Sequence, residues 1–150
     1  MASDPSTRTG AKQVVLLDSN VIISYLRGKP KLAKLFASEV LQSVQYATNP
    51  IILQELRTSG PPFPEGFDLE EFSRSLIQLP INPLDSEEFL DALKTSRNKS
   101  AHANSFLVLG SGKSCDFVLS YDVNLLDLAP AAGVTVLNPD AFLARWEPGA

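Results

Sequence analysis

The sequence predicts an α/β protein: a three-layer α/β/α sandwich with a central, mainly parallel sheet and helices on both faces. Short, continuous apolar runs such as Val14–Leu17 are typical of strands that are buried on both sides. Segments with apolar residues at helical spacing separate these runs, and that alternation is typical of parallel sheets. With 150 residues, the chain fits one domain, which we place at 13–147 after a flexible N-terminal arm over 1–12.

The first half of the chain predicts strands that alternate with capped helices. Gly28-Lys29-Pro30 ends the first helix, Asn49 is a favourable N-cap before Pro50, and Asp68 caps a helix with acids in its first turn. The predicted elements are strand Val14–Leu17, helix Ser19–Leu26, a helical pattern over Lys31–Val44, strand Gln45–Thr48, a helix from Asn49 to Ser59 and a helix over Asp68–Ile77.

The second half repeats the alternation. Two prolines keep Leu79–Leu84 extended, and Gly110–Gly112 ends a helix. The predicted elements are a helix capped by Ser86, a helix over Ala103–Leu109, strand Phe117–Ser120, helix Val123–Leu128, strand Gly133–Leu137 and a last helix from Asn138-Pro139 through Trp146.

Composition excludes several classes of protein. The net charge of −4 provides no global basic field for nucleic acid, although a local basic patch remains open. A single cysteine excludes an intramolecular disulfide and a multi-cysteine metal site, and it suits a reducing cytoplasm. The polar N-terminus is unlike a secretory signal, and no apolar run reaches the roughly 20 residues of a membrane helix.

Three acids interrupt apolar surroundings. Asp18 ends the first strand, Asp122 follows the strand over Phe117–Ser120, and Glu55 lies on the helix after the second strand. Each alone has an ordinary interpretation, as an N-cap for the two aspartates and a surface residue for Glu55. Because ligands collect at the carboxyl ends of parallel strands, the set together predicts a site for Mg²⁺ or Mn²⁺, which would offset the repulsion between the carboxylates.

Other catalytic patterns are absent from the sequence. The chain has one histidine and no GxSxG elbow, which argues against a serine-hydrolase triad. No GxxxxGK[ST] loop is present, and GSGKS at 110–114 follows a helix instead of preceding one, so we interpret it as a helix-ending turn.

Four motifs in this order resemble the PIN domain family, and in particular VapC-like toxin ribonucleases of type II toxin–antitoxin systems. VVLLDSNVIISYL is similar to the family's opening strand and Asp-Thr/Ser-Asn, NPIILQEL to the helix with the second acid, CDFVLSYDVNLL to the strand with Ser-x-Asp, and GVTVLNPDAFL to the closing strand and helix. Together the motifs cover about Val14 to Leu143.

The resemblance implies a divalent-metal-dependent endoribonuclease with Mg²⁺ or Mn²⁺ as cofactor. Asp18, Glu55 and Asp122 would be the metal ligands or would orient the attacking water, with Ser19, Asn20 and Ser120 in support. The implied partners are an RNA substrate, a small antitoxin protein and a second copy of the chain. The helical segments Lys31–Val44 and Asp68–Ile77 carry apolar surface for such contacts.

One position departs from the family pattern. The resemblance places a further acid 18 or 19 residues before Asp122, where this chain has Asn104 or Ala103. Asn104 would occupy the catalytic position without its charge, which weakens cation binding. The nuclease could be naturally weakened, the Asn could be an introduced change, or Asp116 or Asp91 could replace the acid. The alternative function is an inactive PIN-like module that binds RNA or protein.

Local basic residues are the candidates for RNA contact. Arg57 follows Glu55 by two positions, and Arg97 and Lys99, with His102, precede Asn104. A second group, Arg27, Lys29 and Lys31, flanks the end of the first helix. Phosphate contacts of this kind position a substrate without reading its sequence. Any one of these residues could instead be an ordinary solvated charge.

Overall fold

The computed structural model describes residues 11–82, 87–94 and 103–147, with backbone alone at 88–89, 92–93 and 103–106. The five strands are β1 Gln13–Leu17, β2 Val44–Thr48, β3 Ile77–Gln78, β4 Phe117–Leu119 and β5 Val136–Leu137. They form one sheet in the order β3-β2-β1-β4-β5, and every neighbouring pair is parallel. The predicted α/β class is therefore confirmed, and the sheet is parallel throughout.

The strand order creates a topological switch point between β1 and β4. The chain moves outward from β1 through β2 to β3, and then returns to the other side of β1 with β4 and β5. The register pairs Leu17 with Leu119, so β1 and β4 end side by side. Residues that directly follow these two strands are therefore neighbours at the carboxyl edge of the sheet, where α/β proteins bind ligands.

Helices connect the strands. They are α1 Ser19–Leu26, α2 Ser38–Leu41, α3 Pro50–Ser59, α4 Leu69–Arg74, α5 Glu87–Lys94, α6 Ala103–Gly112, α7 Val123–Ala132 and α8 Pro139–Leu143, with 3₁₀ helices at Pro30–Phe36 and Ala144–Trp146. Asn49 caps α3 through its side chain, as predicted, since its Oδ1 accepts from the Ile52 N–H at 2.9 Å. Among the described residues, none of these helices is both long and apolar enough to cross a membrane.

The helix predicted over Asp68–Ile77 is wrong in its last part. Asp68 caps α4 as expected, but α4 ends at Arg74, and Ile77–Gln78 pairs with the end of β2 as the edge strand β3. The Ser73 carbonyl, at the end of α4, accepts from the Leu76 N–H at 3.1 Å and from the Gln78 amide at 2.8 Å, which connects the helix end to β3. A two-residue strand is too short to produce a hydrophobic period of its own.

The helical pattern over Lys31–Val44 also divides. Leu32 and Leu35 are fully buried on a 3₁₀ helix, in which residues three apart lie directly above one another. The extended backbone of Ala37 separates this turn from α2, and Val44 already belongs to β2. The segment therefore buries its apolar residues by i, i+3 spacing over a short path and not by one long helix.

The remaining boundaries shift by a few residues. Helix α7 extends four residues beyond the predicted Leu128 and stops at Gly133, which has a φ of +69°. Strand β5 consequently begins at Val136. The predicted cap at Ser86 lies outside the described residues. Fully buried side chains from the central strands and the helices, among them Leu17, Leu119 and Phe142, form the core.

Candidate active site at the carboxyl edge of the sheet

Asp18 is held where β1 passes into α1. Its backbone N–H donates to the Leu119 carbonyl of β4 at 3.0 Å, which fixes it at the switch point. Its side chain caps α1, with Oδ1 accepting from the Ser19 N–H at 2.8 Å. The N-cap interpretation of Asp18 is thus correct for one carboxylate oxygen. Ser19 gives its support through the main chain.

Ser120 joins the two strand ends. The residue is fully buried, and its hydroxyl donates to Asp18 Oδ2 at 2.7 Å. Ser120 Oγ also accepts from the Asp122 N–H at 3.0 Å and from the Asn20 side-chain amide at 3.3 Å. One hydroxyl therefore fixes the position of both aspartates relative to each other.

Asn20 completes this network. Its Nδ2 lies 3.3 Å from Asp18 Oδ2, and its Oδ1 accepts from the Tyr121 N–H at 3.1 Å. The amide is therefore oriented by contacts at both ends, with its donor toward the carboxylate. Asn20 and Ser120 thus both contact the Asp18 carboxylate, and their supporting role in a metal site stays a prediction.

Asp122 is the second carboxylate of the site. It caps α7, and its Oδ1 accepts from the Asn124 N–H at 2.9 Å. The side chain is half-buried. The cap uses one oxygen, and no donor from the described residues reaches Oδ2, which could bind a further ligand.

Burial and the neighbouring charge of Asp122 both act on the Asp18 carboxyl. Burial is the main cause that raises the pKa of Asp18 above 3.8, and the charge of Asp122 raises it further. The hydrogen bonds from Ser120 and Ser19 act in the opposite direction. Burial is also the first cause of the raised pKa of the Tyr121 hydroxyl, followed by the charge of Asp140. The site thus contains a carboxylate whose charge is costly without a counter-ion.

Glu55 does not join the two aspartates in a cluster of three. It lies half-buried in the middle of α3, which packs against α1. Among the described side chains, no three His, Cys, Asp or Glu residues are close enough to hold a metal ion together. The structure therefore assembles a pair, Asp18 and Asp122, where the sequence predicted three acids.

A buried network that the sequence did not predict joins α3 to α6. The Asn49 amide, at the start of α3, donates to Ser111 Oγ at 3.0 Å and to the Leu107 carbonyl at 3.1 Å. The Ser111 hydroxyl in turn donates to the Pro80 carbonyl at 2.6 Å. The helix that carries Glu55 is thereby tied to the helix that carries Asn104. The Asn-Pro pair gave the helix start, but nothing local to it indicated the partner helix.

Several candidates lie outside the described part of the chain. Asn104 is the second residue of α6, and its side chain is not described. Arg97, Lys99 and His102 fall in the interval 95–102, so their predicted RNA contacts stay predictions.

The hypothesis that Asp116 replaces the missing acid is wrong. It precedes β4, and its Oδ2 accepts from the Val14 N–H at 2.8 Å, near the start of β1. Because β1 and β4 are parallel, Asp116 lies at the amino edge of the sheet, a strand length from Asp18. Its function is to tie the starts of two strands together.

Asp91, a possible replacement for the missing acid, and Arg57, a candidate RNA contact, both have charged partners at the surface. Asp91 is exposed on α5, with Oδ1 3.9 Å from Lys94 Nζ, one helical turn away. Arg57 forms an exposed ion pair with Glu70, at 3.0 Å. Exposed pairs of this kind contribute little to stability and exchange readily, so Arg57 stays a candidate for a phosphate contact.

The carboxylate oxygens of Asp18 and Asp122 are of the type that binds a divalent cation. A carboxylate offers about four acceptor sites, and among the described residues three donors reach Asp18, from Ser19, Asn20 and Ser120. Within that part of the chain, one acceptor site of Asp18 and the Oδ2 of Asp122 have no donor, and oxygen ligands are those that Mg²⁺ and Mn²⁺ prefer. A cation here would compensate the burial of the Asp18 carboxylate, the main cause of its raised pKa, and the smaller effect of the Asp122 charge.

Comparison with solved structures finds chains of similar fold. The chain resembles the structure of FitAB bound to an IR36 DNA fragment, with a TM-score of 0.53 and 22% identity over 83% of this chain and 94% of that one. A second similar structure is FitAcB from Neisseria gonorrhoeae, with a TM-score of 0.45 and 20% identity over 83% of this chain and 97% of the other. No protein-family model and no curated protein matches the sequence. At this level of identity, the likeness to FitAB shows a shared α/β fold.

Proposed function

We propose that this chain is a divalent-metal-dependent endoribonuclease that acts as the toxin of a toxin–antitoxin pair in the cytoplasm. The observation that carries the proposal is the link through Ser120, which joins the carboxylates that follow β1 and β4. Its Oγ lies 2.7 Å from Asp18 Oδ2 and 3.0 Å from the Asp122 N–H. The order of four PIN-like motifs and the shared fold with FitAB support the same function.

Each residue of the site has a distinct role in this proposal. Asp18 and Asp122 would hold Mg²⁺ or Mn²⁺, while the roles predicted for Glu55 on α3 and Asn104 on α6 rest on the resemblance to the PIN family alone. Ser120 and Asn20 keep the Asp18 carboxylate in one orientation by donating to its Oδ2. A bound divalent cation lowers the pKa of a water and stabilises negative charge on the scissile phosphate.

Cleavage assays test the enzyme directly. We expect purified protein to cleave single-stranded RNA with Mg²⁺ or Mn²⁺ and to stop when EDTA is added. Asp18→Asn should abolish the cleavage, while Asp116→Asn, at the other edge of the sheet, should preserve it. A single-stranded DNA of the same sequence, run in parallel, decides whether RNA is the substrate. Cleavage that persists in EDTA and in Asp18→Asn would exclude this metal site.

The partner proposal is tested by coexpression. A small antitoxin should bind the chain, relieve its toxicity and suppress cleavage, and a second copy should be detected by light scattering as a homodimer. Growth that is unaffected by expression of a nuclease-active chain would argue against a toxin.

Asn104 favours a second candidate function, an inactive PIN-like module that binds RNA or protein. An amide contributes an oxygen to a cation but no charge, and cation affinity depends strongly on charge. Asn104→Asp separates the two candidates. If the wild type does not cleave and the variant does, the natural chain is a disarmed nuclease. If neither cleaves, and calorimetry finds no Mn²⁺ binding in either, the binding module is the better function.

A further inference from the structure

Tyr121 lies directly after β4, between the supporting residue Ser120 and the candidate metal ligand Asp122. It follows the buried Ser120 and precedes Asp122, so its main chain is part of the site. Its N–H donates to Asn20 Oδ1 at 3.1 Å, which fixes the residue to the same network that holds Asp18. The side chain itself remains partly exposed. A partly buried aromatic ring, which packs against the core, therefore lies beside the acids on a backbone held by the same network.

A lysine from another part of the chain lies over this ring. Lys29 Nζ is 5.0 Å from the centroid of the Tyr121 ring, and the lysine is exposed. Gly28 makes the approach possible: its φ of +83° reverses the chain after α1, and the Lys29 N–H then donates back to the Ser24 carbonyl at 3.3 Å. A Cβ at Gly28 would meet nothing within 4 Å, so the backbone angle and not the space requires glycine.

The contact between Lys29 and the Tyr121 ring is weaker than the contact that a nucleic-acid base could make with the same ring. An exposed cation–π contact is a weak interaction. Stacking of a base on an aromatic side chain is stronger, and it works for every base. A base can therefore displace Lys29 and stack on the Tyr121 ring. Lys29 then pairs with the phosphate of the same nucleotide.

We propose that Tyr121 and Lys29 form a nucleotide subsite beside the acidic pair. The base next to the scissile phosphate stacks on the Tyr121 ring, and Lys29 pairs with the backbone phosphate of that nucleotide. The subsite deepens the proposed ribonuclease function and rests on it for the identity of the substrate. It accepts single-stranded RNA without preference for a base, since stacking and a phosphate contact read no base edge.

Neighbouring charges limit where the phosphate can lie. A pocket of about 230 Å³ opens between the 3₁₀ helix Pro30–Phe36 and α8, and two acids, Asp140 and Glu147, line it together with Lys31 and Lys34. Lys34 already contacts Glu39, at 3.7 Å. This mixed lining does not favour a polyanion. Lys29 is therefore the cation that we assign to the backbone.

Binding to RNA in EDTA tests the subsite apart from cleavage. The probe is a fluorescein-labelled, random-sequence RNA of about twelve nucleotides, a length within the range of single-strand binding sites. We expect Tyr121→Leu to weaken binding at least about fivefold, and Tyr121→Phe, which keeps the ring, to bind like the wild type. Lys29→Gln should weaken binding and reduce the slope of log affinity against log salt by about one. Lys113→Gln is the matched control, because Lys113 precedes β4 at the opposite edge of the sheet.

A second measurement detects stacking itself. A uridine carrying 5-iodine, placed in the same RNA, should crosslink to Tyr121 under long-wavelength light, and peptide mass spectrometry identifies the site. Thermal melts of all variants verify that they fold. If Tyr121→Leu does not fold, the comparison of Tyr121→Phe with the wild type, the crosslink and Lys29→Gln still decide.

The outcomes separate the subsite from the nuclease. If the wild type cleaves RNA but Tyr121→Leu binds and cleaves equally well, the subsite is overturned and the nuclease stands. If the wild type cleaves no RNA but binds it through Tyr121 and Lys29, the nuclease fails and the subsite stands. Equal losses in Lys29→Gln and Lys113→Gln would show a nonspecific effect of charge and overturn the role of Lys29. Loss of binding to a protein partner alone, with RNA affinity unchanged, would also overturn the subsite.

Discussion

Two aspartates at opposite ends of the same pair of strands have different functions. Asp18, at the carboxyl edge, is buried, accepts from Ser19, Asn20 and Ser120, and has a raised pKa near the charge of Asp122. Asp116, at the amino edge, accepts from the Val14 N–H and ties β4 to β1. The comparison shows that the surroundings, and not the residue type, distinguish a candidate ligand from a structural acid. The second carboxylate, Asp122, and the switch point lie at the carboxyl edge, beside Asp18.

The largest expected difference between the two edges is in cleavage. Asp18→Asn should lower the rate of metal-dependent RNA cleavage about 10³-fold, because loss of a group that stabilises transition-state charge costs on this scale. Asp116→Asn should change the rate less than about twofold, since substitutions distant from the reacting groups act independently of them. Initial rates at saturating Mg²⁺ measure both. Comparable losses of cleavage rate in the two variants would show that the two aspartates do not differ in their role in cleavage.

The supporting hydroxyl should have the next largest effect. Ser120→Ala removes the donor to Asp18 Oδ2 and the acceptor for the Asp122 N–H. Groups that orient metal ligands typically contribute 10–100-fold, so we expect a loss of about that size in Mn²⁺ affinity by calorimetry. Ser120→Thr, which retains the hydroxyl, is the matched variant. Unchanged affinity in Ser120→Ala would show that the network does not position the ligand.

The raised pKa of Asp18 predicts a stability that falls as pH rises. Between 3.8 and the higher folded value, the folded state binds more protons than the unfolded state, so the free energy of unfolding decreases across that window and stays lowered above it. Denaturant unfolding in EDTA, from about pH 3 to pH 7, measures this slope. Asp18→Asn should flatten it. Mg²⁺ should restore stability to the wild type at neutral pH, and a wild type that gains stability through this window would contradict the burial of a charged Asp18.

The smallest expected effect is the structural contribution of Asp116. Asp116→Ala leaves the Val14 N–H without its carboxylate acceptor, which should destabilise the fold by about 1 kcal/mol. Denaturant midpoints at neutral pH measure the loss, and RNA cleavage by the folded fraction should stay intact. A variant with normal stability but impaired cleavage would place Asp116 in the active site after all.

Local sequence patterns predicted the parts of the fold that depend on near neighbours. The apolar run ending at Leu17 gave β1, and the side chains of Asn49 and Asp68 gave the starts of α3 and α4. The errors lie where distant contacts decide. Ile77 belongs to a strand because the end of β2 offers it a partner, and no pattern within a two-residue strand shows this.

The sequence by itself determined the α/β class, the residue types available to the site and their order along the chain. The tertiary structure decided which of them meet. Parallel pairing of β1 with β4 brings Asp18, Ser120 and Asp122 together across about a hundred residues of chain and sends Asp116 to the other edge. The same pairing places Tyr121 where Gly28 can turn Lys29 over it. Spacing along a chain fixes local conformation, whereas the neighbours that set a carboxylate's charge and function come from strand order.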